Sequence, residues 1–346
     1  VTAIIGIATK FFTCTLSVMY REKTKGGEIF GGPMYVIKNG LPKRMLPLAY
    51  FFALAGMIGC LPAFQSNQLI QITGDLAFSE IENFNILGGL VLAGITGFVV
   101  IGGLKRIAEV ATFLVPLMGS IYFGAMIVAL ILNLNLVLPA FKLILVDAFN
   151  GTAIAGGTFF GVLIYGVRRG AFSNEAGMGT ESLVHGVAKV SNPVKQGLVA
   201  MTGPIFDTLI ICTATALMIL VSGVWETSSS QGVTLTAEAF SILLGSFGGL
   251  ILFVCVICFG LSTIFTYSYY GASCSRFLFG KFGMKFYIYL YILSIFIYSI
   301  VPIDIAINLA DGAFAMMAIP TLISALWLAP KVMQASKNYF KLIDNN

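Results

Sequence analysis

Long apolar runs alternate along this chain with short polar gaps, and the runs have the length of a membrane crossing. Reading stretches of roughly 17 to 25 predominantly apolar residues as helices predicts spans near 1–19, 46–73, 86–103, 110–133, 152–168, 198–223, 248–274, 287–303 and 312–330. These make about nine helices. In lipid only helices or closed barrels satisfy the backbone internally, and runs this long, without strict alternation, do not suit barrel strands. The pattern predicts an all-α polytopic membrane protein forming a single transmembrane domain over 1–346.

The gaps differ in charge, and the difference alternates. Basic residues collect at Arg21, Lys23, Lys25, Lys38, Lys43 and Arg44, at Lys105 and Arg106, and at Arg168, Arg169, Lys189 and Lys195. They collect again at Arg276, Lys281 and Lys285, and in a tail with Lys331, Lys337 and Lys341. The intervening gaps hold Lys142 and otherwise acids, among them Asp75, Glu80, Glu82, Asp147, Glu226, Glu238, Asp304 and Asp311. A one-sided bias of this kind places the basic loops and the C-terminus in the cytoplasm of a multi-pass cell-membrane protein.

Composition agrees with this reading: 58% of residues are hydrophobic, 10% are charged and the mean hydropathy is +0.94. Such a chain cannot keep its surface in water. The net charge of +5 does not imply nucleic acid, because the cations sit at span ends where they set topology and meet headgroups. Lipid is the expected surrounding, with no obligate protein partner evident. The six cysteines lie in or beside apolar runs and read as reduced packing residues. Cys255 and Cys258 form a C-x-x-C, yet with His185 as the single histidine a zinc site lacks ligands. No cofactor is expected. The first run lacks the basic start of a signal peptide and contains Lys10. The chain opens at Val1 inside an apolar run that the charge rule sends inward, so the expectation is that an N-terminal segment is missing.

Polar groups inside spans cost free energy unless they are paired or line a cavity. Gln65, Ser66, Asn67 and Gln68 follow Pro62, and such a density of carboxamides points to cavity lining. Gly151, Gly156, Gly157 and Thr158 open the fifth span, which is short and glycine-interrupted. This is the pattern of a discontinuous transporter helix whose freed amides face an anionic group. Gly161 and Gly166 read instead as close-packing positions. Asp207 is either a structural anchor or a proton or cation ligand. Ser262 and Thr263 offer hard oxygen ligands suited to an alkali cation, with Thr266, Tyr267 and Ser268 just beyond.

The segment Gly166-Val167-Arg168-Arg169-Gly170-Ala171-Phe172-Ser173-Asn174-Glu175-Ala176-Gly177-Met178-Gly179 resembles the hallmark G-x-x-R-G-x-F-S-N-E-A-G-x-G of the alanine or glycine:cation symporters, also called sodium:alanine symporters. Further stretches resemble the same family in order: Tyr20 to Lys23, Gly31 to Tyr35, Gln65 to Asn67, Gly102 to Ala108, Gln196 to Met201 and Ser268 to Gly271. The resemblance implies a leucine-transporter-type fold of two inverted five-helix repeats, here without its first core helix. On that template 1–133 is the remainder of the first repeat, 134–330 the second and 331–346 a cytoplasmic tail.

The resemblance also implies roles. Gln65 matches a glutamine lining the substrate pocket, Thr263 a hydroxyl near the substrate and Ser262 a sodium ligand. Tyr267 stands where the family usually has tryptophan, one turn beyond Thr263, and Glu181 stands where it has a small residue or proline. Gly156, Gly157 and Thr158 join the substrate set. Arg169, Asn174, Glu175 and Asp207 read as gate and scaffold: Ser173, Asn174 and Glu175 as helix-capping residues, and Arg168 or Arg169 as a partner for Glu175 or for headgroups. The expected activity is symport of a small neutral amino acid of the alanine and glycine class with Na+. The alternatives are an inactive fragment, or a proton-coupled or glutamine-selective member of the same family. A membrane enzyme would need a nucleophile and base that one histidine in a basic loop does not supply. A channel would want a ring of charges or carbonyls.

Overall fold

A computed structural model describes residues 2–78, 80–149, 159–230 and 232–344, over which the chain is almost wholly helical. The predicted site residues Gly156, Gly157 and Thr158, with Gly151, lie outside the described residues. Helix α1 (Thr2–Met19) leads through a small antiparallel hairpin, β1 (Glu22–Lys23) and β2 (Ile29–Phe30), into α2 (Pro33–Gly40). There follow α3 (Leu46–Gly59), α4 (Ala63–Ala77), α5 (Phe84–Val100), α6 (Gly103–Leu132) and α7 (Leu134–Phe149). Next come α8 (Phe159–Asn174), the short α9 (Thr180–His185), and α10 (Pro193–Ser222), which is π-helical over Ile205–Cys212. The chain ends with α11 (Val224–Thr227), α12 (Gly232–Leu244), α13 (Ser246–Ile300) and α14 (Ile303–Asp344).

Among the described residues six helical stretches are long and apolar enough to cross a membrane, and α5 and α12 are shorter apolar helices. The predicted spans 248–274 and 287–303 fall on the two helical segments of α13, which meet at a kink at Gly280 (φ 68°, ψ −156°), within the predicted gap between them. Glycine alone takes that conformation without penalty. Residues after 330 are helical through Asp344, as a continuation of α14. The predicted span 46–73 is divided into α3 and α4, and proline explains why. Pro62 has no N–H to donate and disfavours helix at the residue before it, so α3 ends at Gly59 and α4 starts at Ala63. A second proline break separates α13 from α14, where Val301 before Pro302 is extended (φ −71°, ψ 142°).

The two breaks are tied together. Asn67 Nδ2 donates to the carbonyls of Val301 at 2.7 Å and Tyr298 at 3.4 Å, satisfying carbonyls that the end of α13 leaves without helical partners. Asn67 was expected to line a cavity with Gln65; it is a brace instead.

Helix α13 is central and packs against α3, α4, α5 and α6. Phe52, Phe265, Tyr287, Tyr291, Ile295 and Met317 form part of its buried core. The tyrosine hydroxyls stay paired in this apolar setting, Tyr287 donating to Met57 O at 2.8 Å and Tyr291 to Ile264 O at 2.6 Å. Outward, Phe98, Phe113, Leu138, Phe247 and Leu326 are exposed, an apolar exterior that lipid covers.

Close backbone contact fixes α9 against the start of the chain. Ser17 accepts from Gly32 N at 2.7 Å and donates to Ser182 O at 2.7 Å. A Cβ added at Gly186 would meet Gly31 Cα at 2.7 Å and Ser182 O at 2.9 Å, and neither is a side chain that can swing away. Gly186→Ala is therefore expected to cost about 2 kcal/mol and to lower the thermal midpoint of the purified protein by several degrees. Gly119→Ala, in α6 with open space around it, should leave the midpoint unchanged or slightly raised.

Candidate functional site

The hallmark segment folds as a helix end followed by a backbone reversal. Helix α8 stops at Asn174, and Glu175, Gly177 and Gly179 all take left-handed φ values of 57°, 85° and 88°. Glu175 N–H donates back to Ala171 O at 2.8 Å, the bond of a left-handed C-terminal cap. A Cβ at Gly179 would stand 2.5 Å from Pro33 Cγ and 2.6 Å from Thr321 Oγ1, which requires glycine there. Asn174 Oδ1 accepts from Ala176 N at 3.0 Å, so it shapes the turn that ends a helix and starts none. Ser173 Oγ donates to Asp207 Oδ2 and caps nothing. Of the three expected capping residues, Glu175 thus forms the C-terminal cap of α8 through its N–H, while Ser173 bonds across to Asp207.

A glutamate in left-handed backbone is costly and persists only where its surroundings hold it. Two hydroxyls do so: Thr180 Oγ1 donates to Oε2 at 2.7 Å and Tyr267 OH to Oε1 at 2.9 Å. Of the two partners expected for Arg168 or Arg169, Glu175 is thus taken by hydroxyls and not by Arg169. Arg169 pairs instead with Asp311 of α14 at 2.8 Å, tying α8 to the C-terminal helix, and its guanidinium lies over the rings of Tyr165 and Phe172.

A cavity of about 1000 Å³ opens between α4, α8, α12, α13 and α14. Gln65, Thr263 and Tyr267 all line it, together with Arg169 and Glu175. Three of the predicted substrate residues thus share one hollow. Gln65 stands in the first turn of α4, just past the Pro62 break, and its carboxamide bonds to no described residue. Thr263 Oγ1 donates to Phe259 O at 2.9 Å, which leaves its oxygen lone pairs free to accept or to coordinate. Asp75 and Asp304 add carboxylates to the lining, and Gln68 and Gln71 add carboxamides bonded to each other at 2.9 Å. The cavity therefore presents acceptors to an ammonium group and donors to a carboxylate.

Ser262, predicted as a cation ligand, is buried on the same helix, donates to Phe259 O at 3.0 Å and does not line this cavity. Asn174 and Asp207 face a second, smaller cavity, while Glu175 lines both. Asp207 is braced by Ser173 and by Thr208 Oγ1 at 3.2 Å. Sequence reasoning did not give Asp311 a partner or assign a role to Lys10, which lines the second cavity. The signal for Lys10 was its position: it is a cation within the first apolar run, where charge is expensive.

A multi-pass membrane protein enclosing a polar cavity lined by carboxylates, carboxamides, hydroxyls and an arginine has the construction of a solute transporter. The family model of the sodium:alanine symporter family matches residues 1–346, and the chain belongs to that family. It is 35% identical to the sodium/alanine symporter AgcS of Methanococcus maripaludis, over all of this chain and 77% of that protein. It is 37% identical to the uncharacterized transporter YflA of Bacillus subtilis, covering 98% of this chain and 72% of that protein. A probable sodium/glutamine symporter, GlnT of the same bacterium, is 34% identical over 97% of this chain and 70% of its own length.

Removing the phenol hydroxyl tests how far Tyr267 holds the reversal. Tyr267→Phe leaves Glu175 Oε1 without its donor and should cost about 1 to 3 kcal/mol. The check is a thermal or denaturant titration of purified protein; an unchanged midpoint would mean that the bond carries nothing.

Proposed function

We propose that this chain couples the inward movement of sodium to uptake of a small neutral amino acid, alternating between outward- and inward-facing states around the larger cavity. The observation that carries the reading is the convergence of Gln65, Thr263 and Tyr267 on one polar hollow beside a proline break. A zwitterion would set its carboxylate toward the amide of Gln65 and Arg169 and its ammonium toward the acids. Sodium would take hard oxygen ligands, Thr263 among them, with the preceding Ser262, buried behind the cavity wall, reaching it only if its hydroxyl turns away from Phe259 O. Helices 1–133 and 134–330 would act as the two inverted repeats that rock against each other. The basic loops would face the cytoplasm and the protein would reside in the cell membrane.

The energetics suit a neutral cargo. Each sodium charge moving with the field contributes about 2.3 kcal/mol per 100 mV, and the sodium concentration gradient adds to it. Alanine and glycine are the proposed cargo class. Glutamine is the alternative, which the group of carboxamides at Gln65, Gln68 and Gln71 and the relative GlnT both favour.

Reconstituted protein should take up labelled alanine or glycine in response to an inward sodium gradient. Gln65→Ala and Thr263→Ala should each raise the apparent KM about tenfold, the equivalent of one lost hydrogen bond to a charged group. Ser262→Ala should mainly raise the sodium concentration required. Uptake indifferent to sodium, lithium and proton gradients alike would refute coupled transport, and unchanged constants in all three variants would place the site elsewhere.

A further inference from the structure

The smaller cavity, of about 300 Å³, lies between the ends of α8 and α9 and helices α1, α10 and α13, and it shares Ser173 and Glu175 with the larger one. It is lined by Glu181, a position where the family resemblance leads one to expect a small residue or proline. Glu181 is buried (4% exposed). Its Oε1 accepts from Thr13 Oγ1 at 3.0 Å, while its Oε2 is buried with no partner among the described residues. Asn174, 3% exposed and on the same cavity, likewise has a buried Nδ2 without a partner. An ionised carboxylate with one bare buried oxygen costs much more free energy than the same carboxyl carrying a proton there.

The groups facing Glu181 sharpen the assignment. From α1 come Lys10, Thr13 and Cys14, and Lys10 forms no ion pair among the described residues. From the end of α8 comes Glu175, fully engaged by Thr180 and Tyr267. Helix α10 contributes Asp207, held by Ser173 and Thr208, and α13 contributes Tyr270. On α9 itself His185 accepts at Nδ1 from Gln196 Nε2, and burial together with Lys10 pushes it down to about 4, so it stays neutral. Among these groups Glu181 is the carboxyl with an oxygen buried and unpartnered among the described residues. Burial pushes its carboxyl up to about 7, opposed by Lys10 and helped by the neighbouring Glu175.

We propose that the second cavity is a proton-binding site in which Glu181 Oε2 takes up and releases a proton, and that Glu175, the titratable residue lining both cavities, passes this charge change to the substrate cavity. Uptake forms an O–H bond on Oε2 with a proton drawn from water, and release returns the proton to water. Below about pH 7 Glu181 is neutral; above it, a negative charge appears beside Glu175. That charge favours a cation in the larger cavity, so proton and sodium oppose each other, and reciprocally.

The sodium half of this inference rests on the proposed symport, whereas the proton site itself does not. Two measurements on the purified protein in lipid separate them. Infrared difference spectra across pH 6 to 8 should show a protonated-carboxyl band that titrates near neutrality and is absent in Glu181→Gln. Sodium affinity should rise about fivefold over the same range in the unaltered protein, and in Glu181→Gln it should stay flat at the low-pH value. Glu181→Ala provides the same comparison should the amide fail to fold. A titrating band that survives both substitutions overturns the proton site. Loss of the band with a sodium affinity still equally pH-dependent overturns the link through Glu175. Absence of any sodium binding, with the band behaving as expected, counts against symport and leaves the proton site standing.

Discussion

A hydrocarbon surrounding offers the backbone no water, so each carbonyl and amide must be paired inside the protein. Along most of this chain the helix does the pairing, and the surface can be apolar. Where a helix is interrupted, freed groups need partners, and polar side chains gather there for that reason. The breaks at Pro62 and at Pro302 show the consequence, since Asn67 of α4 reaches across to the carbonyls of Tyr298 and Val301. Gln65, two residues earlier, is left facing the cavity. One broken helix thus supplies both a brace and an unengaged amide.

The reversal after α8 follows the same logic with different chemistry. Three left-handed residues turn the chain, and the one that is not glycine is held by hydroxyls from α9 and α13. Glu175 therefore senses three elements at once and forms a wall of both cavities. Arg169, one helical turn and a half earlier, secures α8 to α14 through Asp311. A segment fixed at both of its ends in this way is suited to moving as a unit with the helices it joins.

Much of this was legible in the sequence. Run length and hydropathy gave the helical class and most span positions, because the demand for backbone pairing in lipid leaves few alternatives. The hallmark segment and Gln65, Thr263 and Tyr267 were legible through family resemblance, and the last three do meet in one cavity. What local pattern could not give was pairing over long separations. Nothing in the run around Arg169 indicates Asp311 as its partner, and nothing near Asn67 distinguishes a brace from a lining residue. The break between the predicted spans 248–274 and 287–303 was legible too, since α13 leaves helical geometry at Gly280, inside the charged stretch 275–286.

The account stands on the larger cavity being the place where cargo and ion meet. A structure of the protein determined in lipid with saturating alanine and sodium would test this directly. It should show the amino acid between Gln65 and Thr263 and an ion within coordinating distance of the Thr263 hydroxyl. Bound cargo at any other location, with this cavity filled only by water or closed, would contradict the account.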